Sequence, residues 1–397
     1  MASSAASDMN DAALGRRLWQ VCLLFLKVGV IGFGGPAVTI AMIEDEVVTR
    51  RGWLSREYLL DMIGATNLIP GPNATEIAIH VGYLRAGWPG LILAGLCFIL
   101  PAALITSVFA WAYVRFGALP AAAPLLVGVK PAVMAVIVAA LWRLGRTAVK
   151  GWKLGVLGAA VAVASLLGAN EILALLVGGV LGMAWLQTDR NRNGRSMTGP
   201  SAVGLLGPGV FALTRGLAAA EVAPTLLSLG LFFLKIGAVM YGSGYVLVAF
   251  LQGGLVEQLG WLTQQQLIDA IAAGQFTPGP LLSTATFIGY LLHGLPGAAL
   301  ATASVFLPSF IFVAVLSPVV PRIRRSPWSA SFLDAVNVCS LGLMAAVLIK
   351  LGVATFHSWP AVLIAIVAGA IGLRWKVNSA WLVLGGALAG WLFSLVS

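Results

Sequence analysis

The chain has 397 residues, of which 59% are hydrophobic and 10% charged, and its mean hydropathy is +0.96. Water-soluble globules rarely reach such values, so the composition excludes a soluble domain and indicates an all-α polytopic membrane protein. The formal charge of +10 sits in short loops between apolar runs, which points to an anionic lipid surface on the cytoplasmic side and not to nucleic acid.

Residues 1–15 read as a short soluble tail. Arg16 and Arg17 then precede an apolar run that begins at Leu18 and passes into further apolar segments without a small-residue cleavage site, so no removable signal peptide is expected. Six apolar segments follow, roughly 18–43, 57–84, 88–113, 125–145, 153–168 and 170–187. A basic linker, "QTDRNRNGRSMTGP", leads into a weakly apolar piece from Ser201 to Leu213. Six more segments complete the chain at 226–251, 264–291, 296–320, 330–352, 360–373 and 377–396. Several reach the ~20 residues that a ~30 Å hydrocarbon core requires. Cys22, Cys97 and Cys339 lie in apolar segments without paired spacing, so they read as packing residues; no disulfide, metal site or cofactor is indicated.

The two sets of six are copies. "FLKVG" at 25–29 returns as "FLKIG" at 233–237, an offset of 208 that also carries Asp61 onto Asp269 and Pro70–Gly71–Pro72 onto Pro278–Gly279–Pro280. One residue is then lost, and an offset of 207 carries Gly82–Tyr83 onto Gly289–Tyr290, Pro101 onto Pro308 and Trp152 onto Trp359. A single indel over so long a match marks an internal duplication. The domains are therefore 1–187, an N-terminal repeat; 188–221, a basic linker with an extra crossing; and 222–397, a C-terminal repeat.

Charges in matching loops are unequal. Arg50, Arg51 and Arg56 face an uncharged stretch at 258–264, and Arg143, Arg146, Lys150 and Lys153 face Lys350 alone. The bias reverses where Arg322, Arg324 and Arg325 outnumber Arg115. Because Lys and Arg favour the cytoplasm, the halves are expected to insert as inverted repeats. Six segments are an even number, so inversion needs one more crossing, assigned to 201–217.

Each half is interrupted at "GFGGP" (Gly34, Gly35, Pro36) or "MYGSG" (Tyr241, Gly242, Gly244), and again at its Pro-Gly-Pro element. Broken or re-entrant helices at membrane depth persist only inside protein or beside a wet cavity, and breaks paired across a duplication mark the midplane site of many transporters. If Asn73 and Leu281 open new half-helices, their N-termini would favour an anion. A plain kink or hairpin is the alternative for each element. Lys27 and Lys235 are matched cations deep in apolar sequence that would together balance a dianion if both faced one cavity; the alternative is a lysine near an interface because the first segment is a shallow hairpin. Asn67 and Gln275 are matched carboxamides that either bind the anion or cap the broken ends. Glu76 and His80, without ionisable counterparts, are candidates for proton coupling or a structural pair. Asp61 and Asp269 read as surface caps, and Arg143 and Lys350 as headgroup anchors.

The stretches "FLKVGVIGFGGPAVTIAMIEDEVVTRRGWLS", "LIPGP", "GYLRAGWPG" and "FTPGP…ATFIGYLLHGLPGAALATASVFLPSF" resemble the chromate ion transporter (CHR) family in its long, two-domain form, over almost the whole chain. That resemblance implies a prokaryotic inner-membrane protein that exports chromate, with sulfate as a competing or exchanged anion, through two halves of opposite topology. Glu76 departs from the family pattern, as does Tyr241-Gly242-Ser243-Gly244 opposite Phe33-Gly34-Gly35-Pro36. A secondary transporter is expected, since no GxxxxGK[ST] element is present. The alternatives are transport of another anion, a metabolite or a lipid, and an intramembrane enzyme, against which stands the lack of HExxH and GxSxG motifs. Small residues in "GLPGAALATAS" fit packing within one chain or in a homodimer.

Overall fold

A computed structural model describes residues 2–33, 35–67, 69–117, 123–192, 223–241, 244–316, 327–356, 358–375 and 377–396. Among these, the first half contains α1 (Ala2–Ile31), α2 (Pro36–Glu44), α3 (Arg56–Thr66), α4 (Asn73–Phe116), α5 (Ala123–Ala148), α6 (Trp152–Leu166) and α7 (Glu171–Arg192). The second contains α8 (Leu226–Val239), α9 (Leu247–Leu251), α10 (Gln264–Phe276), α11 (Thr284–Leu316), α12 (Pro327–Thr355), α13 (Trp359–Arg374) and α14 (Ser379–Val396). π-Helical turns at Asp45–Arg50 and Gln252–Gln258 extend α2 and α9. The expected tail is helical from Ala2 and continuous with α1. The assigned extra crossing, 201–217, lies outside the described residues.

The duplication is visible in local detail. Ser55 caps α3 by accepting from the Tyr58 N–H, and its match Thr263 caps α10 in a reciprocal box with Gln266. Five stretches among the described residues are long and apolar enough to cross a membrane, the longest being Asn73–Phe116. At ~1.5 Å per residue its 44 residues would extend about 66 Å, twice the hydrocarbon thickness. It does not do so. Ala86 and Gly87 leave helical geometry, with φ +63° at Gly87, and the chain doubles back; His293 and Gly294 (φ +60°) repeat this in α11. Gly82 lies against Gly90 and Ala94, and Gly289 against Gly297 and Ala301, so side-chain-free positions let the limbs touch.

The first two apolar segments of each half are hairpins of half-helices. Lys27 of α1 pairs with Glu46 just beyond α2 at 2.6 Å. Two turns before Lys27 in α1, Gln20 accepts from Arg85, whose guanidinium covers Trp53 together with that of Arg51. Thus α2 returns to the side from which α1 entered, and α3 with the first limb of α4 does the same. The segments at 18–43 and 57–84 are therefore split at their breaks and do not each cross.

Matched helices run in opposite directions. Lys150, just past the end of α5, pairs with Asp334 near the start of α12, its repeat mate, at 2.7 Å. Gln187 near the end of α7 bonds Ser331 at the same level. The halves interlock by exchange: α5 packs on α13 and α14, while its mate α12 packs on α6 and α7. The Gly128 carbonyl region meets Gly386 and Gly390, and Gly158 meets Val338 and Gly342.

Replacing Gly90 by Leu would drive a side chain into the Gly82 carbonyl and cost about 1–3 kcal/mol, read as a lower thermal midpoint of the purified protein. Gly145→Leu, where nothing lies within 4 Å of the added carbon, should leave the midpoint unchanged.

Candidate anion cavity between the halves

Unwound main chain must find partners, and here each break finds them in the other half. The Gly71 N–H donates to the Met240 carbonyl at the end of α8 (2.7 Å), and the Gly279 N–H donates to the Gly32 carbonyl at the end of α1 (3.0 Å). These four positions are matched by the 208-residue offset, so the two bonds are symmetry mates. Pro70, Gly71, Pro72, Pro278, Gly279 and Pro280 are all buried except half-buried Gly279, and none of them lines the cavity described next. The Gly71 and Gly279 N–H groups are thus committed to carbonyls and not left for an anion.

Beside this crossing lies a cavity of about 580 Å³, walled by both halves. Gly35 (φ +84°) and Pro36 place the N-terminus of the nine-residue α2 in its wall. Pro36 at the first position removes one N–H and leaves those of Ala37 and Val38 without intrahelical partners, a positive end. Asn67 and Asn73 stand next to it on either side of the Pro-Gly-Pro turn, and the Asn73 amide donates to the Asn67 side-chain oxygen. That bond leaves N–H groups of both carboxamides for a guest.

From the other wall, α5 brings Arg143, whose guanidinium donates to the Gly372 carbonyl at the end of α13 and keeps further N–H groups. Tyr245, next to Gly244, shares a hydrogen bond with Gln275 and lies close to Arg143. Asn337 and Ser340 of α12 complete the polar wall. The mouth carries Lys150, 62% exposed and paired with Asp334. A half-helix end, a guanidinium and several amide and hydroxyl groups converge on this cavity, and the carboxylate in its lining, Asp334, is paired with Lys150; donors of this kind complement a small oxyanion.

Of the residues singled out in the sequence, Gly35, Pro36, Asn67, Asn73 and Gly244 line this cavity, and Gln275 reaches it through Tyr245. Tyr241 stands outside it, against Phe332 of α12. Gly34 and Gly242 lie outside the described residues. Neither Lys27 nor Lys235 lines this cavity. The hairpin fold brings Glu46 back onto Lys27, which is 45% exposed, and Lys235 lies near Glu171. Asp269 is no surface cap: it is 4% exposed and accepts from Tyr113 at 2.9 Å. Arg143, read as a headgroup anchor, faces the cavity instead; its match to Lys350 was the available signal, together with its place some seven residues inward of Lys150. Cys22 and Cys97 meet with sulfurs 3.4 Å apart.

Glu76 is the least expected feature. It is 0% exposed, and neither carboxyl oxygen has a hydrogen-bond partner. It stands against Gly71, beside which the equally unpartnered Ser309 hydroxyl of α11 also points. Tyr241 lies near it, and His80 follows one turn along α4.

A duplicated helical bundle with re-entrant half-helices around a cavity between the halves defines a multi-pass membrane transport protein. The chain belongs to the chromate transporter family, whose pattern matches residues 19–183 and again 227–391, one match per half. It is 32% identical to the chromate transport protein of Cupriavidus metallidurans over 98% of this chain and 96% of that one. It is 31% identical to the probable chromate transport protein of Synechococcus elongatus (95% of each chain). Against the chromate transport protein of Pseudomonas aeruginosa the identity is 30%, over 94% and 92%. No solved structure matches significantly. These relatives place the protein in the prokaryotic plasma membrane.

Gly71 and Gly35 separate two kinds of glycine requirement. Gly35→Ala meets open space and should cost only the backbone term, about 1–3 kcal/mol for a non-glycine residue at this φ and ψ. Gly71→Ala (φ +143°) would also overlap the Glu76 carboxyl and approach Ser309 Oγ to 2.7 Å, so its thermal midpoint should fall further. Equal shifts would contradict the crowding described here.

Proposed function

We propose that the protein is a secondary transporter that exports chromate from the cytoplasm by alternating access between its inverted halves, with sulfate as a competing or exchanged oxyanion. The observation that carries this reading is the convergence of Arg143, Asn67, Asn73 and the α2 N-terminus in one cavity beside the crossed breaks. Two features support the direction. Arg16, Arg17, Arg50, Arg51, Arg56, Arg146, Lys150 and Lys153 mark the side to which the cavity opens as cytoplasmic, so the site loads from within. The names of the relatives supply chromate, a tetrahedral dianion whose oxygens suit guanidinium and amide donors.

Glu76 is assigned the coupled proton. An unpartnered carboxylate in a dry interior is costly, whereas a proton neutralises it and needs no space. Its place at the crossed breaks, touching Gly71 and near Tyr241 and His80, ties its access to any movement that separates the halves. An inward proton gradient would then drive the anion outward.

Everted vesicles test both assignments, since export appears there as uptake. Arg143→Gln should lower the initial rate of labelled chromate uptake about 10- to 100-fold, the loss expected for hydrogen bonds to a charged group. Lys27→Ala, remote from the cavity, should leave the KM for chromate unchanged. Arg143→Gln transporting at the wild-type rate would remove this site from the mechanism. Glu76→Gln should retain exchange of labelled for unlabelled chromate and lose its response to an imposed pH gradient; an unaltered response would refute the proton assignment.

A further inference from the structure

The cytoplasmic end of the first half carries positive charge that the cavity does not use. Arg50 pairs with Asp45 at 2.7 Å and Arg56 with Glu44 at 3.1 Å. Glu46 is shared between Lys27 at 2.6 Å, Arg51 at 3.1 Å and Arg50 at 3.6 Å. Neither Arg17 nor Arg85 forms an ion pair with a carboxylate among the described residues. These two stand together. Half-buried Arg85, just before the turn of the α4 hairpin, donates to the Gln20 side chain of α1 at 2.7 Å and lays its guanidinium 4.7 Å from the centre of the Trp53 ring. Arg51 covers the same indole at 5.1 Å. Arg17, one turn before Gln20, and Arg51 are both near enough to repel Arg85. The Arg85 Nε is buried without an acceptor, so the protein alone leaves this guanidinium short of partners.

We propose that Arg17, Arg51 and Arg85, positioned by Gln20 and Trp53, bind the phosphate of an anionic phospholipid in the cytoplasmic leaflet. Three guanidiniums gathered at one place repel each other, and an anion among them offsets that repulsion. Guanidinium forks match phosphate oxygens, and basic clusters between helices on the cytoplasmic side suit anionic headgroups. Two observations select a lipid over a dissolved phosphate. The helices that carry Arg17 and Arg85 also expose Trp19, Leu23, Trp88 and Ile92, a bed for acyl chains beneath a headgroup. Arg17 immediately precedes the first apolar run, and Arg85 stands at the turn between two apolar limbs, so both sit at headgroup depth. The bound lipid ties together α1, the link before α3 that holds Trp53, and the α4 hairpin turn, the places from which the half-helices of the first half hang. None of this depends on the identity of the cargo.

Native mass spectrometry of the purified full-length protein in detergent, with dioleoylphosphatidylglycerol added, tests the site. The wild type should retain one molecule of this lipid in preference to dioleoylphosphatidylcholine. Arg17→Gln alters an exposed side chain and leaves the packing intact; it should weaken retention about fivefold, the effect expected of one basic side chain on an anionic headgroup. Arg17→Gln combined with Arg85→Gln should weaken it about 25-fold on the same basis. Arg115→Gln, at the opposite end of α4, should not change it. Thermal midpoints measured without lipid identify any variant that fails to fold, and Arg17→Gln alone then decides. Retention by Arg17→Gln equal to that of the wild type, or loss of equal size in Arg115→Gln, would overturn the proposal. Inorganic phosphate that displaces the lipid at equal concentration would also overturn it, by assigning the arginines to a dissolved ion.

Discussion

The structure depends on a single constraint, that main chain unwound inside a bilayer must still have its N–H and C=O groups satisfied. Here neither half satisfies its own. The N–H at the centre of each Pro-Gly-Pro turn is received by the carbonyl that ends the other half's first helix. The breaks therefore exist only as a pair, and the exchange of α5 and α12 into each other's halves follows the same plan. A bundle built this way cannot lose one half's breaks without exposing those of the other.

Around that symmetric crossing the two halves differ in chemistry, and the differences fall where function is expected. Thr277, just before the second Pro-Gly-Pro, bonds Thr106 of α4 at 3.1 Å; the matched pair, Ile69 and Val313, is apolar and packed in one cluster. Near Gly71 stand Glu76 and Ser309, whereas Gly279 meets Ala102 and backbone. Inverted repeats with unequal linings give the two sides of the membrane different environments. The buried, unpartnered polar groups at Glu76, Ser309, Thr75 and Ser283 concentrate beside the crossing. Such groups cost stability where they stand, and their place beside the crossed breaks is an argument for use.

Much of the fold was legible in the sequence. Proline and glycine at matched offsets announced the duplication and the breaks, because those residues act on the backbone locally and regardless of context. Arginine asymmetry announced the inversion. The site was read less well. Lys27 read as a ligand, because deep cations are costly, or as an interfacial lysine of a shallow hairpin; that the hairpin brings Glu46 back as its partner was not legible, since it depends on where the returning helix ends. Arg143 looked like an anchor because it ends a helix; only the tertiary angle between α5, α12 and α13 turns it inward. Hydrophobic periodicity reports how an element meets lipid or core, and says little about which polar groups from distant segments share one cavity.

The most direct measurement is a density map of the protein with chromate bound, in which the metal identifies itself by anomalous or difference signal. The account predicts the anion within hydrogen-bond reach of the Arg143 guanidinium and the first turn of α2, between Asn67 and Asn73. Chromate bound instead at Lys27 or Lys235, with the chamber beside the crossed breaks empty, would contradict it.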